Sequence, residues 1–114
     1  MSYSGGDGQT LGIVLTPRHI CDLFCDLLNI QATDIVLDPC CGTAGFLVAA
    51  MHHMLEKAGA DQTKRKNIKK KQLHGFELQS NMFAIAATNM ILRDDGNSNI
   101  KCEDFCVRIL LRYN

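Results

Sequence analysis

The sequence predicts an α/β fold built on a parallel sheet, and three observations predict it. A short apolar run, Ile35-Val36-Leu37, ends at Asp38-Pro39 and leads into a turn with glycines at Gly42 and Gly45. Such a run, without polar alternation, suits a strand buried on both faces of a parallel sheet. Segments with helical periodicity alternate with the strand candidates in the order α-β-α-β-α-β, which right-handed crossovers wind into one sheet. Acids close three successive strand candidates, at Asp38, Glu77 and Asp104. That is the carboxyl edge, where open α/β sheets take their ligands.

Each element has its own warrant. Residues 1–10, with Gly5, Gly6 and Gly8, read as a disordered amino-terminal segment, and the region before Leu11 offers no periodic pattern. Thr16-Pro17 reads as a hydroxyl N-cap with proline at the first helical position. Ile20, Leu23, Phe24, Leu27 and Leu28 then keep the spacing of an amphipathic helix that ends near Asn29. After the glycine turn, Leu47, Ala50, Met51, Met54, Leu55 and Ala58 carry a second helix to about Gly59.

Residues Asp61 to Lys71 include six basic side chains, Lys64, Arg65, Lys66, Lys69, Lys70 and Lys71. They read as a solvated connecting loop at the amino-terminal edge of the sheet, away from the ligand edge. Leu73 to Phe76 forms the second strand candidate. A helix with Phe83, Ala86, Ala87, Met90 and Ile91 on one face follows, then a turn at Asp94-Asp95-Gly96-Asn97 and a third strand at Asn99 to Cys102. Cys106 to Asn114 is apolar with two arginines and has no assigned element. Three strands with the first at an open edge leave a central-type strand uncovered on one side. Residues 11–114 therefore read as one incomplete domain.

At 114 residues, 46% hydrophobic and 21% charged, the chain has the material for one packed core. No apolar run approaches the ~20 residues of a membrane span. The formal net charge of zero favours no class of partner. The six cysteines contain no Cys-x-x-Cys pair and read as reduced, buried or half-buried thiols, which places the protein in the cytoplasm. His52 and His53 are adjacent and would point about 100° apart on a helix, so a zinc site there is disfavoured and no metal is expected.

The turn discriminates between ligands. Cys40-Cys41-Gly42-Thr43-Ala44-Gly45 lacks the first glycine of the G-x-G-x-x-G dinucleotide pattern. Asp38 at the strand tip would repel a pyrophosphate, which also disfavours a nicotinamide or flavin oxidoreductase. A cofactor with positive charge and no phosphates fits better, and S-adenosylmethionine carries a sulfonium and an ammonium group. A carboxylate after the second strand, Glu77, suits a ribose diol.

Thr16-Pro17-Arg18, the stretch Asp38 to Phe46, Gly75-Phe76-Glu77-Leu78 and Asp104-Phe105 resemble, in order, the cofactor motifs of adenine-N6 DNA methyltransferases. The resemblance is strongest to the modification subunit of type I restriction-modification systems and runs from about Leu11 to Phe105. The family wording of the turn is D-P-A-C-G-T-G-G-F, so Cys40 and Ala44 are departures. The resemblance implies a partial Rossmann-like S-adenosylmethionine-dependent methyltransferase fold, with three parallel strands and flanking helices.

It also implies a cofactor site of Thr16, Pro17, Asp38, Pro39, Cys40, Gly42, Thr43, Ala44, Gly45, Phe46, Glu77, Leu78, Asp104 and Phe105. Thr16 would meet the methionine end, Asp38 and the turn would cradle the cofactor, and Glu77 would hold the ribose hydroxyls. Asp104 would accept from the adenine amino group, with Phe105 beside the ring. The family's catalytic Asn/Asp-Pro-Pro-aromatic motif is absent, because the sequence has only Pro17 and Pro39, so no catalytic residue is assigned.

The implied partners are DNA, contacted through regions missing here, and specificity and restriction subunits or a complementing methyltransferase fragment, with no membrane. The alternative is a non-catalytic S-adenosylmethionine-binding or structural remnant that pairs with a partner chain.

Overall fold

The computed structural model describes residues 15–92 and 99–113. The expected disorder of residues 1–10 and the expected turn at Asp94 to Asn97 lie outside them. In chain order the elements are α1 (Arg18–Leu28), β1 (Val36–Asp38), α2 (Gly45–Ala58), α3 (Gln62–Lys71), β2 (Leu73–Phe76), α4 (Ser80–Met90), β3 (Ile100–Lys101) and α5 (Phe105–Tyr113). The three strands form one parallel sheet in the order β1-β2-β3. Val36 pairs with Leu73 and Asp38 with Gly75, while Gly75 pairs with Ile100 on its other side.

The central helix α2 follows its predicted periodicity. Leu47, Val48, Ala49, Ala50, Met51, Met54 and Ala58 are buried, and Gly59 ends it with a left-handed φ of 62°. Leu47, Met51 and Met54 join Cys21 and Cys25 of α1, Ile68 of α3, Leu73, Ile100, and Ala86 and Met90 of α4 in one core. Gly75 shows how closely this layer approaches the sheet. A Cβ there would lie 2.8 Å from Ile100 Cδ1, 2.9 Å from Leu47 Cδ1 and 3.1 Å from Cys41 Cβ.

Several expectations change in three dimensions. β1 is buried on one face only: Val36 packs on the core, but Ile35 is 73% and Leu37 48% exposed. The physical reason is that the core lies entirely on one side, the side to which Val36, Leu73, Gly75 and Ile100 point, since neighbouring residues along a strand point to opposite faces. On the other face, among the described residues, Phe105 and Arg108 of α5 approach over Phe76.

The first helix turns the same way. Cys21 and Cys25 make its buried contact, while Leu23, Phe24, Leu27 and Leu28 of its apolar stripe are exposed. Thr16 is not its cap. Pro17 occupies that position with no side-chain cap bond, and its carbonyl accepts from the N–H groups of Ile20 and Cys21 at 3.0 and 3.3 Å.

The basic segment is a helix and not a loop. Asp61 caps it by accepting from the Lys64 N–H at 3.1 Å, and Ile68 anchors it in the core. Arg65 ties it to α2 by donating to the carbonyls of Leu55 and Gly59, each at 3.0 Å. The segment does sit at the amino-terminal edge, directly before β2. In α4 the buried residues are Met82, Ala86 and Met90, and Ile91 is exposed beyond the helix end. The tail from Cys106 continues as α5 because Asp104 caps it, accepting from Cys106 N at 2.9 Å and Val107 N at 3.3 Å. The six cysteines are unpaired, and Cys40, Cys102 and Cys106 are exposed where burial was expected. No described helix is long and apolar enough to cross a membrane.

Candidate functional site

At the carboxyl edge of β1 the chain makes the turn that the sequence singled out. Asp38 ends the strand, and its Oδ1 accepts from the Cys40 N–H at 3.1 Å. Gly42 has φ +55°, a conformation that costs a residue with a side chain roughly 1–2 kcal/mol. Ala44 has φ +69° and is fully buried, so alanine bears that strain where the resembled family carries glycine. The Ala44 N–H donates to Cys41 O at 2.7 Å, and α2 starts at once, with the Val48 N–H donating to Ala44 O at 2.9 Å.

Three outside contacts fix the turn. The Cys41 N–H donates to Phe76 O at 2.9 Å, at the end of β2. The Gly42 N–H donates to Glu77 Oε1 at 3.2 Å, and the other carboxylate oxygen of Glu77 accepts from Gln79 N at 2.6 Å. Asn89 of α4 donates to Thr43 O at 2.8 Å. Glu77 is therefore part of the turn's scaffold, and each of its oxygens keeps a second lone pair for a further donor. Nothing in the sequence pattern marked Asn89, because an amide on the polar side of a helix has no local signature.

Beside the turn lies a cavity of about 160 Å³ lined by Leu15, Thr16, Asp38, Cys40, Cys41, Gly42, Thr43, Gly45 and Phe46. A second depression of about 120 Å³ shares Thr16, Thr43 and Gly45 and reaches Arg18, Cys21, Val48 and Asn89. Each is smaller than the roughly 300–1,000 Å³ usual for a small-molecule site.

Thr16, Asp38, Cys40, Gly42, Thr43, Gly45 and Phe46 of the predicted set are thus brought together. Leu15 and Cys41 join them without having been in that set. Pro17, Pro39, Ala44, Glu77, Leu78, Asp104 and Phe105 do not line this cavity. Glu77 touches it through Gly42, Ala44 is buried beneath the turn, Pro17 starts α1, and Leu78 is exposed after β2. Asp104 is occupied as the α5 cap, and Phe105 packs on Phe76 with ring centroids 5.1 Å apart.

The electrostatics favour a cation. Burial pushes the Asp38 carboxyl above the ordinary carboxylate range, opposed by the Cys40 N–H and reinforced by the charge of Glu77. Burial, then Asp38 and Glu77, push the Cys41 thiol up to about 12, which rules it out as a thiolate nucleophile near neutral pH. Among the described residues no group of three or more His, Cys, Asp or Glu side chains could hold a metal ion.

The sequence matches the N-6 DNA Methylase family over residues 1–106. It is 53% identical over 100 residues to the type II restriction enzyme and methyltransferase RM.BcgI of Heyndrickxia coagulans, covering 88% of this chain and 16% of that protein. It is 29% identical over 98 residues to the type I restriction enzyme MjaIX methylase subunit of Methanocaldococcus jannaschii, covering 86% of this chain and 16% of that subunit.

Among solved structures, a modification subunit from Vibrio vulnificus YJ016 superposes with a TM-score of 0.68 at 30% identity, over 78% of this chain and 18% of that one. The type I restriction enzyme EcoKI M protein gives a TM-score of 0.68 at 27% identity, over 76% of this chain and 20% of that one. The three parallel strands and flanking helices are accordingly part of the Rossmann-like S-adenosylmethionine-dependent methyltransferase fold. With its glycine turn, its acids at the strand ends and a family match over most of its length, the chain belongs to the N-6 DNA methylase family.

Proposed function

We propose that this chain is the S-adenosylmethionine-binding portion of a DNA adenine-N6 methyltransferase of the type I modification-subunit kind. The observation that carries the reading is the cavity at the carboxyl edge of β1, where the half-buried Asp38 and the turn from Cys40 to Gly45 face Thr16. A carboxylate that burial has made reluctant to ionise gains from a cationic ligand, and among the described residues no basic side chain lines this cavity to receive a phosphate. The donor set therefore fits a sulfonium and ammonium ligand.

In this reading Thr16, freed from capping α1, meets the methionine end, with Pro17 setting its position at the helix start. Asp38, Pro39, Cys40, Gly42, Thr43, Ala44, Gly45 and Phe46 form the cradle. Glu77 takes the ribose hydroxyls with the lone pairs its backbone partners leave, and Leu78, Asp104 and Phe105 border the adenine. When bound, the cofactor supplies an electrophilic methyl group. The chain's own residues bind and orient it. Residues of the Asn/Asp-Pro-Pro-aromatic type that hold a flipped adenine are not in this sequence, so DNA methylation requires a segment supplied from elsewhere. Its partners are DNA, specificity and restriction subunits or a complementing methyltransferase fragment, in the cytoplasm.

A second reading, a non-catalytic remnant that pairs with a partner chain, is favoured by one observation: among the described residues β1 has a free edge and a bare face. Calorimetric titration with S-adenosylmethionine separates the two, run beside Glu77→Ala and with NADH as the control ligand. Saturable binding that Glu77→Ala weakens about tenfold or more is expected. The affinity should also fall on acidification, beginning above the ordinary carboxylate range, because Asp38 holds its proton to higher pH and only its ionised form attracts the cation. A folded chain that binds no S-adenosylmethionine would leave the remnant reading standing.

A further inference from the structure

The helix α3 has a composition that its place in the fold does not explain. It holds six of the chain's twelve basic residues and no acid. Of its side chains only Ile68 is buried. At 100° per residue, Lys66 and Lys70 stand directly opposite Ile68, with Lys69 beside them, so the outward face is a stripe of lysines. Lys64, Lys66, Lys70 and Lys71 are exposed, and among the described residues they form no salt bridge.

Internal electrostatics work against this arrangement. Lys66 and Lys70 are four apart, and like charges at that spacing destabilise a helix. Lys64 lies in the first turn, where the helix dipole is positive and a cation is unfavourable. Only Lys69, Lys70 and Lys71, in the last turn, gain from the dipole. A solvated connecting helix does not need the uncompensated Lys66–Lys70 pair. A closely charged polyanion laid along the stripe would neutralise it.

We infer that the outward face of α3 is a sequence-independent contact for the phosphate backbone of duplex nucleic acid. It lies at the amino-terminal edge of the sheet, at the opposite end of the strands from the Asp38 and Glu77 cavity. Nucleic acid is favoured over an acidic protein because the stripe is purely basic: the outward lysines have no aromatic or aliphatic side chain between them, as a phosphate ladder requires and a protein interface core does not. The family acts on DNA, which supplies such a ladder. The contact goes beyond the cofactor reading and is tested independently of it.

The test is fluorescence anisotropy of the whole chain with a labelled duplex of arbitrary sequence, across a salt series. If about three phosphates are neutralised, affinity falls about 40-fold between roughly 50 and 200 mM salt, and Lys66→Gln with Lys70→Gln lowers the logarithmic salt slope by about 1.8. Lys66→Arg with Lys70→Arg retains binding. The glutamine variant keeps or raises its unfolding temperature, because it removes a repulsive pair, whereas a purely structural role would lower it. Calorimetry with S-adenosylmethionine is unchanged in both variants, so failure here and failure of the cofactor reading are separable. Absence of salt-dependent binding, an unaltered slope in the glutamine variant, loss of binding in the arginine variant, or equal competition by poly-glutamate would each overturn the assignment.

Discussion

On one face of the sheet, Leu73, Gly75 and Ile100 lie under α2 and α4, with Leu47 Cδ1 2.9 Å from where a Cβ on Gly75 would stand. On the other, Leu37 and His74 face outward, and among the described residues Phe76 meets Phe105 and Arg108. The same strands make both faces, with His74 and Lys101 among the outward residues. What differs is the layer laid against them. Parallel strands rich in aliphatic residues are ordinarily covered on both faces, so the sequence of β1 is written for a second layer that the described residues do not form. Leu23, Phe24, Leu27 and Leu28 on α1, and Val107, Leu110 and Leu111 on α5, repeat the lesson outside the sheet. The cofactor turn belongs to the finished side. Cys41, Gly42 and Thr43 are held from β2, Glu77 and Asn89, all of which are anchored in or next to the packed layer.

The contrast breaks most decisively in the covered face. Leu47→Ala removes a fully buried side chain that lies against Gly75 of the sheet, and is expected to cost about 2–5 kcal/mol in chemical or thermal unfolding. A loss under about 1 kcal/mol would mean that the α2 layer is loosely packed and that the two faces hardly differ.

Gly75→Ala sharpens the same point with a smaller effect. Its φ is unremarkable, so the added methyl tests space alone. Leu47 Cδ1 and Ile100 Cδ1 are flexible tips that move aside, but Cys41 Cβ is tied to the turn. Overpacking of about 1–3 kcal/mol follows. Because the clash falls on Cys41, the variant should also weaken S-adenosylmethionine in calorimetry more than its stability loss alone accounts for.

Much of the finished side was legible in the sequence. The periodicity of α2, the limits of β2 and the positive-φ glycine at Gly42 follow from local rules about spacing and backbone freedom. Legibility ended where a residue's role depends on distant partners. Six basic residues give no apolar period and so no local sign of α3, although Asp61 and the single anchor Ile68 are enough to hold a helix. Thr16 looked like a cap, but Pro17 took that place and left Thr16 to the cavity. Asp104 looked like a ligand-binding acid, and its nearest duty is to cap α5. The two-sided burial expected for Ile35 and Leu37 failed for a different reason. Composition records the environment a strand is suited to, while the structure shows which of its neighbours are present.

The smallest effect discriminates best between a bare face and a covered one. Leu37→Ser removes an aliphatic side chain that is already 48% exposed and that points away from the core. Surface substitutions of this kind change stability by less than about 0.5 kcal/mol, so thermal unfolding at low concentration should barely shift. Self-association, followed by light scattering as concentration rises, should fall, because Leu37 lies on the free edge strand and contributes to the apolar area that two copies would cover. If Leu37→Ser instead lost stability comparable to Leu47→Ala, with the loss growing with protein concentration, the second face would already be covered in solution by another copy. The bare layer would then belong to the isolated chain alone. An unchanged unfolding temperature with reduced scattering would instead establish that the sheet stands on one helical layer, and that the missing layer governs association more than it governs folding.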